Sequence, residues 1–179
     1  RCLDLLAELD DLNQLFLPQQ GEISGRLRID LPTGIARQLL FPALPAVLAQ
    51  HPKLELDISS TDRKVDIVAE GFDLVLRVGS VDNDGLVARQ LGVAPLAIAA
   101  SPAYIARHGE PKTLAELAGH QQVHYVRHFG SQDPGIAYLQ DGDCRHVALR
   151  GVISVNHTDS YQMACLQGIG IIQAPRLGL

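Results

Sequence analysis

An α/β fold of two Rossmann-like lobes is expected here, because three features of the chain agree on it. Between residues 25 and 78, short alternating strands change places with helices at short links, the pattern of a parallel, doubly wound sheet. An apolar run at 93–100 then leads into a second series of strands and helices. Of the 179 residues, 46% are apolar and 20% charged, which suits a globular body with a core rather than a disordered chain.

Cys2, Leu5, Leu9, Leu12 and Phe16 recur at spacings of three and four, with Asp4, Glu8, Asp10, Asp11 and Gln14 outside that seam. This predicts the edge of a coiled coil and a partner helix, a helix packed on its own domain being the alternative. Pro18 ends the pattern and Gln19 to Glu22 form a linker. Residues 1–24 are thus read as linker helix and linker, 25–88 as the first lobe and 89–179 as the second. The chain begins with Arg1 rather than Met and is expected to be a piece of a longer protein.

In the first lobe, Gly25 to Leu31 alternates as a strand, and Pro32-Thr33-Gly34 opens a helix with Thr33 as its cap. Ile35, Leu39, Leu40, Leu44, Val47 and Leu48 form that helix's apolar face, and Pro42 and Pro45 predict a kink or restart. Leu54 to Ile58 is the second strand. Ser59 to Asp62 is a loop and cap leading into a helix at Lys64–Glu70, which Gly71 stops, and Asp73 to Val78 is the third strand.

In the second lobe, helices are expected at Pro102–His108 and Thr113–Leu117, and a strand at Val123–Val126. Ile136–Gln140 and Cys144–Leu149 form a hairpin around Asp141-Gly142, a pair that favours a tight turn. A strand at Val152–Val155, a helix at Asp159–Gln167 and a strand at Gly168–Ile172 complete it.

Several functions lose support at once. No apolar run approaches the ~20 residues that span a bilayer. The net charge is −5 and lysine occurs only at 53, 64 and 112, so this segment is not expected to bind DNA by itself. Three cysteines without CxxC spacing suit inert thiols in a reducing cytoplasm. His120 and His124 have the spacing of a zinc helix but lack its glutamate, and alternation through Val123 and Tyr125 turns His124 away from His120. No metal and no cofactor is therefore expected. Gly168-Ile169-Gly170 follows a helix instead of opening one, so it reads as a helix stop and not a dinucleotide fingerprint. No nucleophile elbow, phosphate loop or paired-carboxylate motif is present, so no catalytic residue is assigned.

Binding is better supported. In a doubly wound sheet, ligands lie at the carboxyl ends of strands, where helix N-termini offer free N–H groups and a positive dipole end to an anion. Those ends are Thr33 and Gly34, Ser60 and Thr61, and Ser80 after Gly79. Arg127, His128 and Asn156 from the second lobe face the same cleft. Plain capping by Thr33, Thr61 and Asp159 is the competing explanation.

The run V-D-I-V-A-E-G-F-D-L-V-L-R-V-G at 65–79 resembles LysR-type transcriptional regulators. So do L-V-A-R-Q-L at 86–91, A-S-P-A-Y at 100–104, Asn156, and Y-Q-M-A-C-L-Q-G-I-G-I-I-Q-A-P at 161–175. The blocks run in order along the whole chain. The resemblance implies a type II periplasmic-binding-protein-like pair of lobes joined by crossover strands, acting as the effector-binding domain of a cytoplasmic bacterial regulator. It implies a DNA-binding winged helix-turn-helix ahead of Arg1 and a return to the first lobe after Leu179. It implies homodimers or tetramers, paired through residues 62–71 and a second-lobe helix. Effector contacts would fall at Thr33, the Ser60-Thr61 loop, Ser80 and the Arg127-His128-Phe129 segment. Some relatives carry a basic residue where Ser80 stands, so the identity of the effector does not carry over. The expected function is therefore the sensing of a small anionic metabolite. An extracytoplasmic solute-binding protein of a transporter is the alternative, distinguished by a signal peptide in place of the DNA-binding domain.

Overall fold

The computed structural model describes residues 23–79, 86–126, 128–131 and 133–176. The expected coiled-coil seam, Ser80 and Arg127 lie outside the described residues.

Strand β1 (Ser24–Leu31) is the middle of a three-stranded parallel sheet, flanked by β2 (Lys53–Ser60) and β3 (Leu74–Val75). The register runs from Ser24 opposite Lys53 to Leu31 opposite Ser60. Helix α1 connects β1 to β2 as one continuous rod: α-helical at Thr33–Ile35, π-helical at Ala36–Leu40 and α-helical again at Phe41–Gln50. The interruption expected from Pro42 and Pro45 thus takes the form of widened turns just ahead of them. A proline nitrogen cannot donate to the preceding turn, and a π segment shifts the ladder by one residue there. Ala36 is buried and Ile35, Leu40 and Leu44 are half-buried, while Leu39, Phe41, Val47 and Leu48 stay exposed. The expected apolar face is therefore only partly used.

Alternation along β1 would turn Asp30 outward, but the side chain is fully buried. The cause is its place on a central strand, covered on both faces near its carboxyl end. Its carboxylate pairs with Arg77 and accepts from Thr61 Oγ1 at 3.0 and 3.2 Å. Helix α2 (Ile67–Glu70) starts later than expected, with Asp66 rather than Thr61 as its cap; Asp66 Oδ1 accepts from Ala69 N at 2.9 Å. Hydrogen bonds from Arg63 hold the Glu70 carboxyl below its ordinary range. Gly71, at φ +67°, ends the helix in the left-handed conformation that glycine tolerates best.

The second lobe follows the expected order. Strand β4 (Leu96–Ala99) begins only after Pro95, and leads to α3 (Pro102–His108) and α4 (Leu114–Leu117). Next come β5 (Gln121–Tyr125), the hairpin β6 (Ile136–Gln140) and β7 (Asp143–Val147), then β8 (Arg150–Val155). Helix α5 (Thr158–Leu166) and β9 (Ile172–Pro175) close the described fold. β5 and β8 are parallel, β4 and β9 antiparallel, and a bridge from Ile171 to Gln122 joins the two pairs. The last strand starts at Ile172 and not at Gly168. Gly168, at φ +71°, ends α5, and Gly170 lies so close to β5 that an added Cβ would sit 2.9 Å from the Gln121 carbonyl oxygen.

Both apolar cores belong to this lobe. One gathers Val123, Tyr161, Ala164, Cys165, Ile172 and Ala174, the other Tyr104, Leu117, Ile136, Leu149 and Ile171. The Tyr161 hydroxyl accepts from Gln173 N at 3.0 Å, and burial pushes its pKa up to about 12.

Two outcomes follow from these buried polar groups. Arg77→Met leaves the Asp30 carboxylate buried without its cation, so urea unfolding should show a loss of about 3–5 kcal/mol, largely recovered by adding Asp30→Asn. The Tyr161 hydroxyl titrates near 12 folded against about 10 unfolded, so its stabilisation is complete below pH 10 and lost as pH climbs through 12. Urea midpoints measured from pH 9 to 12 should fall more steeply for the native chain than for Tyr161→Phe.

Candidate functional site

Three segments meet where the lobes face each other: the start of α1 after β1, the loop after β2, and the start of α5 after β8. All lie at the carboxyl ends of parallel strands, where a doubly wound fold places its ligands. Asp62 joins them. Its Oδ1 accepts from Thr33 N at 3.2 Å, and its Oδ2 accepts from Thr158 N and Thr158 Oγ1 at 2.7 and 2.5 Å. One carboxylate thus caps two helix starts from different lobes, each contributing unpaired N–H groups and the positive end of a helix dipole. The two starts almost touch, since a Cβ added at Gly34 would lie 3.5 Å from Thr158 Cγ2.

A second tie lies one turn further along. Arg37 donates to Asp159 Oδ1 at 2.9 Å and to Gln162 Oε1 at 2.7 Å, two groups three residues apart on α5. Below the cleft, the Asp30–Arg77–Thr61 cluster fixes the loop that carries Asp62, and Thr61 N donates to Leu31 O at 3.1 Å.

The expected contact residues divide as follows. Thr33, Gly34, Ser60 and Thr61 come together at the first-lobe wall, with Thr33 Oγ1 donating to Ser60 O at 3.4 Å. Thr33 is not a side-chain cap: Pro32 holds that position, and the helix start is satisfied by Asp62 instead. Thr61 gives its hydroxyl to Asp30. Asp159 is not the cap of α5 either; His157 is, and Asp159 serves Arg37. Asn156 lies exposed on the turn between β8 and α5, one residue before that cap. His128 is exposed in a turn whose carbonyl accepts from Ser131 N and Oγ. Ser80 and Arg127 lie outside the described residues.

Asp62 and Arg37 were not picked out from the sequence as contact residues. The bond from Asp62 to Thr158 spans 96 positions, so no local spacing announces it. A signal did exist for Asp30, a lone carboxylate between Ile29 and Leu31 at the end of an apolar strand.

An open groove of about 850 Å³ lies elsewhere, between β4 and helices α3 and α4, walled by Ile98, Pro102, Ile105, Leu114 and Ile171. None of the expected contact residues lines it. Among the described residues no group of three or more His, Cys, Asp or Glu could hold a metal ion. His120 packs against Tyr104, and His124 lies against Gly151 on β8.

The family model described as the LysR substrate binding domain matches residues 20–179. The chain is 41% identical to the uncharacterized HTH-type transcriptional regulator YhjC of Escherichia coli over 179 residues, all of this chain and 60% of that protein. It is 36% identical to the HTH-type transcriptional regulator DmlR of Escherichia coli over 168 residues, 93% of this chain and 52% of that protein. It therefore spans little more than half the length of these relatives. Among solved structures, the CrgA regulatory domain of Neisseria meningitidis superposes with a TM-score of 0.73 at 26% identity, over 87% of this chain and 74% of that one. The effector domain of AmpR from Pseudomonas aeruginosa gives 0.67 at 27% identity, over 86% and 71%. These similarities carry the two-lobed, periplasmic-binding-protein-like α/β architecture, and the transporter reading finds no support among them.

Because Arg37 and Asp159 are both about half-exposed, Arg37→Ala should change unfolding stability by no more than about 1 kcal/mol. The same variant should increase the radius of gyration in small-angle X-ray scattering, since a tie between the lobes is gone.

Proposed function

We propose that this chain, which belongs to the LysR substrate-binding domain family, senses a small anionic metabolite in the cleft between its lobes. In this reading the first lobe covers residues 25–88 and the second 89–179, with residues 1–24 as the linker helix. The domain works as part of a cytoplasmic transcription regulator that pairs as a homodimer or tetramer and reaches DNA through an N-terminal winged helix-turn-helix. It is a binding domain and not an enzyme, in keeping with relatives named as regulators. No described helix is long and apolar enough to cross a membrane.

One observation carries the anionic preference: the donor set at the cleft already binds a carboxylate, that of Asp62. Amide and hydroxyl donors from both lobes converge on it, as they would on the acid group of a metabolite. A ligand held by both walls favours one lobe or subunit arrangement, and it transmits a signal only through its different affinity for the alternatives. The effector contacts are assigned to Thr33, Gly34, Ser60 and Thr61 on one wall and to His128 and Asn156 on the other; Ser80 and Arg127, outside the described residues, remain candidates from the sequence.

A thermal-shift panel of small mono- and dicarboxylates, with matched amines and neutral analogues, tests this reading. A binding acid should raise the melting temperature logarithmically with its concentration above the dissociation constant. Thr33→Ala combined with Ser60→Ala should weaken the best acid by about 1–2 kcal/mol in calorimetry. A panel in which only amines or neutral compounds stabilise the domain would overturn the anionic preference.

A further inference from the structure

Resting on that sensor reading, we infer that Asp62 is a built-in competitor for the effector, a carboxylate of the chain itself that occupies the anion seat and ties the lobes until a ligand acid displaces it. Three donors from two lobes converge on this one side chain. Thr33 N reaches one oxygen, and Thr158 N and Oγ1 reach the other. Asp62 belongs to the loop after β2 and to neither helix, so it reaches both starts across the fold and is a local cap of neither. A ligand acid must displace it, and its side chain then swings away with the loop or gains a new partner. The device sets both the class of ligand and its threshold, because the apparent affinity is the intrinsic one multiplied by the fraction of molecules in which Asp62 has left the seat.

The competitor is tested on the full chain with acetate, the nearest free analogue of an aspartate side chain, against chloride at equal ionic strength. Asp62→Ala should melt at a lower temperature, regain stability with acetate, and bind acetate about tenfold more tightly than the native chain in calorimetry. Asp62→Asn, which keeps the size and removes the charge, should fall between the two. Circular dichroism establishes that each variant is folded, and the asparagine variant decides the matter where the alanine variant is not. Folded variants that bind acetate no more tightly than the native chain overturn the inference. In the native chain, the Thr33 and Thr158 amide protons should exchange slowly and together, and rapid exchange at either removes the shared seat. These results are separable from the carboxylate panel: acids that bind while the Asp62 variants ignore acetate refute the competitor alone, whereas a panel without any binding acid refutes the sensor reading.

Discussion

The arrangement of this domain depends on a carboxylate shared between two helix starts. Each lobe presents the positive end of a helix to the cleft, and two such ends would repel each other across a narrow gap. Asp62 neutralises both, through one oxygen for each helix. Charge-assisted hydrogen bonds of this kind contribute about 1.5–3 kcal/mol each when shielded from water and less when wet. That range holds two lobes together without locking them.

The rest of the first lobe positions that carboxylate. Parallel pairing of β1 and β2 brings residues 31 and 60 side by side, so the loops that follow them rise at the same edge of the sheet. Asp30, buried at the end of the middle strand, holds Arg77 from one side and Thr61 from the other. Thr61 immediately precedes Asp62. The buried ion pair thus serves less as a source of stability than as an anchor for the start of the loop that carries Asp62. The second lobe contributes rigidity: through Tyr161, Ala164 and Cys165, one of its apolar cores fixes α5, and with it Thr158 and Asp159, relative to β5 and β9.

Much of this was legible residue by residue. The hairpin followed from Asp141-Gly142, whose positive φ angles suit a two-residue turn between paired strands. Gly71 marked a helix end, and the rule that strand ends carry ligands led to Thr33, Ser60 and Thr61, which the fold brings side by side. The caps were misread for a common reason. Thr33, Thr61 and Asp159 all have the right chemistry for capping, but each has a better partner distant in sequence: Ser60 O, Asp30 and Arg37. Local propensity chose the residue type correctly and the partner wrongly.

The sequence alone determined the order of strands and helices, the two-lobed family architecture and the polar character of the cleft edges. These depend on periodicity, turn residues and blocks of motif, which are short-range patterns. Tertiary structure decided that Asp30 is buried, that Arg37 reaches across to α5, and that Asp62 occupies the space between two helix ends. Such contacts join residues up to 125 positions apart. They exist only because the lobes fold back on each other, and no local pattern in the chain encodes which donor a carboxylate will find there.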